Sequence, residues 1–143
     1  MKMILGALAV ALLAGCSSSQ ISVREAKPVP SDELYAFQKK LANASSQIIV
    51  VRDGGILGSG CDVIFYIEGR RAAKIGPSER ASFYYEPGSV NLGIGLADSG
   101  LCTGVAIKTI NANLKPERQS QFRISNDLSG GLFLAPYVDY SGG

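Results

Sequence analysis

An all-β fold, a mostly antiparallel β-sandwich of seven or eight strands with one short N-terminal amphipathic helix, is what this 143-residue chain predicts. Short β-branched or aromatic runs recur at roughly 8–14-residue intervals, with Gly- or Pro-containing turns between them. No long helical stretch separates successive runs, which argues against a parallel βαβ sheet. Two cysteines, Cys61 and Cys102, each follow a Ser-Gly turn and open an apolar run, so a disulfide between strand starts is expected.

The N-terminus is read first as a processing segment. Lys2 supplies a positive charge, Ile4 to Leu13 form an apolar run of ten residues, and Ala14-Gly15 are small. Ten residues at about 1.5 Å each reach about half of a roughly 30 Å bilayer core, too short for a mature spanning anchor. The closing Leu13-Ala14-Gly15-Cys16 resembles the lipobox of bacterial lipoproteins. That resemblance implies removal of the signal peptide 1–15, diacylglycerol on the Cys16 sulfur, and palmitate or a similar acyl chain on the new amino group. It also implies an address: the residue after the lipidated cysteine is Ser17. Aspartate there would signal inner-membrane retention, so the outer membrane, facing the periplasm, is expected.

The remaining elements follow in order. Residues 16–30, Ser-rich and ending Lys27-Pro28-Val29-Pro30, read as a flexible tether. Residues 31–44 read as a helix, with Ser31 as N-cap, Asp32 and Glu33 in the first turn, and Leu34, Phe37, Leu41 and Ala44 along one face. Gln47 to Arg52 is a strand ending at the Asp53-Gly54-Gly55 turn, and Cys61 to Ile67 is the next, with Val63, Phe65 and Ile67 on one face. Glu68-Gly69-Arg70 reverses the chain into Arg71 to Ile75, and Gly76-Pro77-Ser78-Glu79 turns it into Arg80 to Tyr85. Val90, Leu92, Ile94 and Leu96 alternate without a break. Gly93 and Gly95 on the opposite side admit a close neighbour. Gly104 to Leu114 and Gln119 to Ser125 are further strands, and Pro136 makes Leu132 to Tyr140 an edge strand. The segment 31–143 is thus one domain.

From Val63 through Gly88 the chain resembles PEGA-type modules and small bacterial lipoproteins of unknown function with transthyretin-like or immunoglobulin-like sandwiches. The shared pattern is an apolar strand, an acidic-Gly-basic hairpin at Glu68-Gly69-Arg70, an aromatic strand Phe83-Tyr84-Tyr85, and the corner Pro87-Gly88. It covers 26 residues, Val63 to Gly88. The resemblance implies a surface binding or scaffolding module with no catalytic residues.

Composition narrows the chemistry. Histidine is absent, which excludes a Ser-His-Asp triad, a Cys-His pair and every His-containing zinc site. No enzyme, cofactor, metal or small-molecule substrate is expected. A carboxylate-pair hydrolase would have to draw on Asp62, Glu68, Glu79, Glu86 and Asp98, most of them in or beside turns. The 14 Lys and Arg against 12 Asp and Glu give no strong field for nucleic acid. Candidate contact residues are Arg70, Arg71 and Lys74 around the hairpin, suited to an anionic partner such as lipopolysaccharide phosphate or peptidoglycan carboxylate, and the adjacent Tyr84 and Tyr85. The expectation is a cell-envelope lipoprotein, held to the membrane through Cys16, that binds another envelope protein or supports an assembly. The alternative is a periplasmic inhibitor or immunity lipoprotein that blocks a lysozyme-like or effector enzyme.

Overall fold

The computed structural model describes residues 20–55, 60–97, 102, 106–126 and 131–138. The signal segment, Cys16 and Asp98 lie outside them. The strands are β1 (Lys27–Pro28), β2 (Ser46–Arg52), β3 (Val63–Ile67), β4 (Arg70–Ile75), β5 (Glu79–Tyr85), β6 (Gly88–Leu96), β7 (Lys108–Leu114), β8 (Gln119–Asn126) and β9 (Leu132–Pro136). They form a sandwich of a five-stranded sheet, β1-β5-β2-β8-β9, and a four-stranded sheet, β4-β3-β6-β7. The four-stranded sheet is antiparallel throughout, whereas β1 with β5 and β2 with β8 pair in parallel. The β2–β8 pair needs no crossover helix, because the whole second sheet lies between them in sequence.

Alternation places the core. Ile48, Val50, Phe83, Phe122 and Ile124 meet Val63, Phe65, Ile67, Val90, Leu92 and Ile94, all buried. Phe65 and Phe83 join the two sheets with ring centroids 5.2 Å apart. Behind β6, Ile107 lies against Gly93 and Gly95: a Cβ on either glycine would come within 3.2 Å of it. The missing side chains thus make room for Ile107. At the hairpin tip Glu68 and Gly69 both have positive φ, 49° and 74°, which matches the twist of the flanking strands.

Cys61 and Cys102 are disulfide-bonded, with Cα atoms 5.6 Å apart and a sequence separation of 41. Closing a loop of that length removes about 4 kcal/mol of unfolded-state entropy.

The helix expected over 31–44 does not form. Only Ser31–Glu33 makes a 3₁₀ turn, Ser31 is not its cap, and Leu34 is already extended. Two sheet edges that need partners explain this. Between Phe65 and Tyr66 the β3–β4 register shifts, leaving Ala72 as an extra residue on β4. Its carbonyl accepts the N–H groups of Tyr35 (2.8 Å) and Ala36 (3.3 Å), and Leu34 bridges Ala73. Along β5 and the residue before it, Ser78 O and Arg80 O accept from Lys27 N and Val29 N, Ser82 O accepts from Gln38 Nε2, and Tyr84 N donates to Phe37 O. Segment 27–38 is therefore a strap that covers both edges on one side of the sandwich, and the intrinsic preference for helix in this stretch is too weak to compete.

The tether is likewise shorter than the expected 16–30. Ala26 and Val29 are buried, and Ile21, Val23 and Ala26 cover Ile49 and Val51 on the outer face of β2. This cover explains why β2 is apolar on both faces. At the other end of the chain, the strand expected from Gly104 begins at Lys108, and the final strand stops at Pro136 on the sheet edge.

Candidate functional site

The strap builds a groove as it crosses from β4 to β5. Phe37 holds φ at 64°, left-handed backbone that costs a bulky L-residue of order 1–3 kcal/mol. The conformation is fixed by the Phe37 O bond from Tyr84 N at 2.8 Å and by Gln38 Nε2 on Ser82 O at 2.9 Å. It turns the Phe37 ring edge-on to Tyr85, with centroids 5.6 Å apart, and the Arg70 guanidinium sits 5.2 Å above the same ring. The open groove around this stack has a volume of about 560 Å³, in the range of small-molecule and peptide sites. Besides these residues, Tyr35, Gln38, Lys39, Leu41, Asn43, Tyr84 and Glu86 line it. Tyr35 and Leu41 are 44% and 56% exposed. Burial raises the Tyr85 phenol above its ordinary pKa, and the nearby Glu68 and Glu86 carboxylates raise it further.

Three of the five residues singled out in the sequence, Arg70, Tyr84 and Tyr85, thus meet in one place. Lys74 does not join them. It pairs with Glu33 at 3.3 Å and fastens the strap to β4; the hydrogen bond to Glu33 raises its ammonium pKa. Arg71 is exposed and lines no part of the groove. Missing from the sequence reading of the site are Tyr35, Phe37, Lys39 and Leu41. Phe37 and Leu41 fall with Leu34 and Ala44 on the expected helix face, Tyr35 and Lys39 fall off it, and nothing local signals that Phe37 would adopt left-handed backbone.

The four described carboxylates of the possible hydrolase set separate into two pairs, at opposite ends of β3 and β5. Glu68 and Glu86 act on Tyr85, while Asp62 and Glu79 act on Arg52. Glu79 accepts Gly76 N within its turn and Glu68 accepts Asn91 N on β6, each at 2.7 Å, so both are engaged by backbone. Arg52 is buried and donates to Ile75 O at 2.9 Å, tying β2 to β4; desolvation lowers its pKa, and Asp62 and Glu79 oppose that. Asp53 is buried beside it and accepts Arg123 Nε at 2.8–2.9 Å, Arg123 Nη2, and Ser125 Oγ at 2.7 Å. The hydrogen bond that Arg123 donates to Asp53 raises the Arg123 pKa. These are structural bonds between strands. Among the described residues no group of three or more His, Cys, Asp or Glu side chains could hold a metal ion.

A second open cleft, about 620 Å³, lies where the chain enters the domain, between Ser22–Glu25 and Gln121 and Tyr137. The Ser22–Glu25 turn is closed by its own bonds, Glu25 N to Ser22 Oγ at 3.2 Å and Ser22 N to Glu25 Oε2 at 3.4 Å. Compared with protein-family models, with curated proteins and with solved structures, the chain has no match.

Proposed function

We propose that this chain is a lipid-anchored protein of the bacterial cell envelope, attached through Cys16 to the outer membrane and facing the periplasm, which binds another envelope protein through the strap groove. The observation that carries the binding reading is the meeting of Arg70, Tyr84 and Tyr85 with the exposed Tyr35 and Leu41 around a ring held in strained backbone. Aromatic and arginine side chains in a shaped recess are the usual centres of binding energy at protein interfaces. The lipobox Leu13-Ala14-Gly15-Cys16 supports the anchor. Packing of the chain from Ile21 onward leaves five residues, 16–20, between the lipid and the domain. Whatever their conformation, they reach no farther than about 18 Å. The domain then works next to the membrane.

Two measurements test this. Fractionation compares wild type with Cys16→Ala; loss of the mutant from the membrane fraction supports the anchor, and equal retention overturns it. A photo-crosslinking residue placed at Tyr84 is compared with one at the exposed Asn113 on β7. A defined envelope protein captured at Tyr84 alone supports the groove; the lysozyme-like or effector enzyme of the inhibitor reading, captured in its place, identifies that alternative. Equal capture at both positions overturns the groove.

A further inference from the structure

Two cations, Arg70 and Lys39, line the groove without forming an ion pair there, although the Glu86 carboxylate shares the lining. Of the cations on this side of the domain, Lys40 pairs with Glu117 and Lys74 with Glu33, each at 3.3 Å. Arg70 and Lys39 both line the groove, and among the described residues neither has a carboxylate within 4.0 Å. Arg70 is also held in place: its guanidinium sits over the Phe37 ring at 5.2 Å, and that ring is set by the left-handed backbone beneath it. A guanidinium held by a ring face keeps its N–H edges for an acceptor, and its planar fork matches a carboxylate in a two-bond contact.

The rest of the lining describes the body attached to that carboxylate. Tyr35 on the strap and Leu41 just beyond it are exposed large hydrophobic side chains, and they lie in the same groove as Leu34, Ala36 and Ala44. The aliphatic part of this wall, Leu34, Ala36, Leu41 and Ala44, suits aliphatic or aromatic side chains. The Gln38 and Asn43 amide oxygens and the Glu86 carboxylate in the lining can accept peptide N–H groups, and the Asn43 amide can donate to a C=O. The groove is open to solvent, so a chain can pass through it rather than end in it.

We infer that the groove takes a short extended acidic peptide, with one Asp or Glu carboxylate on Arg70 and a neighbouring apolar side chain against Phe37, Tyr35 and Leu41. This rests on the reading of the groove as the contact surface, and it is independent of the lipid anchor.

The test uses the purified full chain in detergent on an array of hexapeptides acetylated and amidated at their ends. Half carry one Asp or Glu among apolar residues; their twins carry Asn or Gln at that position. A second set lacks acidic residues but ends in a free carboxylate, and a third surface displays uronic acid-bearing saccharides. The expected result is at least about tenfold tighter binding to acidic members than to their twins, the size of a charge-assisted pair. Arg70→Gln, an exposed residue whose loss leaves the core intact, removes that preference. Lys39→Gln reduces it about two- to fivefold, and 0.5 M salt weakens binding of the wild type. Equal binding to acidic members and twins overturns the ligand class but leaves the surface standing. So does binding confined to free chain ends or to saccharides. Acidic preference unchanged in both Arg70→Gln and Tyr84→Ala overturns the surface itself.

Discussion

Replacing Asp53 with asparagine removes one negative charge from a site where that charge has three donors. The Asp53 side chain is 1% exposed and is reached by Arg123 Nε, Arg123 Nη2 and Ser125 Oγ, while its own N–H bonds Ile124 O at 2.9 Å. Asparagine fills the same volume but offers only one carbonyl oxygen, and its NH₂ must face a guanidinium or a hydroxyl. Breaking a fully buried pair costs about 3–5 kcal/mol. The Arg123 side chain is 25% exposed and water compensates part of its loss, so the low end, about 3 kcal/mol, is expected for D53N. At roughly 4 °C per kcal/mol for a domain of this size, Tm falls by about 12 °C. Ser125→Ala, which deletes one neutral donor, costs about 1–1.5 kcal/mol. Urea denaturation of wild type, D53N, R123Q and the double variant gives the coupling energy directly. The two single changes should be strongly non-additive. A D53N protein within 0.5 kcal/mol of wild type, or additive single effects, would refute the claim that this pair binds the end of β2 to β8.

Three further outcomes are expected. Replacing Cys61 and Cys102 together by serine lowers stability by about 4 kcal/mol in urea denaturation, and reductant reproduces the loss in the wild type but has no further effect on the variant. Phe83→Ala, which empties the centre of the core beside Phe65, costs about 3–5 kcal/mol by the same assay, whereas Phe83→Leu costs much less. Absorbance titration detects a phenol ionising above pH 10 that disappears in Tyr85→Phe. Because the folded pKa is raised above the unfolded value, the stabilising effect of this group is complete below pH 10. It is lost as pH climbs through the folded pKa, so wild type loses more stability than Tyr85→Phe above pH 10.

Period-two patterning was legible wherever one face of a strand is buried. Val63, Phe65 and Ile67, and Val90, Leu92 and Ile94, point inward as their alternation requires, and the Gly93 and Gly95 side receives a close neighbour. The turns at Glu68-Gly69 and Gly76–Glu79 also follow from their residues, since local backbone geometry decides them. The disulfide pair could be anticipated because only two cysteines remain once Cys16 is assigned to the lipobox. Each of these rests on information within a few residues, or on a simple pairing rule.

What the tertiary structure alone decided is the path of residues 21–44 and, with it, the groove. Leu34 and Phe37 have helical spacing, and their actual conformation is set by the unpaired carbonyls of Ala72 and Ser82 and the N–H of Tyr84, all 35 or more residues away. The same holds for Asp53, whose partners Arg123 and Ser125 are 70 and 72 residues distant. A sheet edge or a buried charge exerts its demand through space, and the segment that answers it carries no local mark of having been chosen.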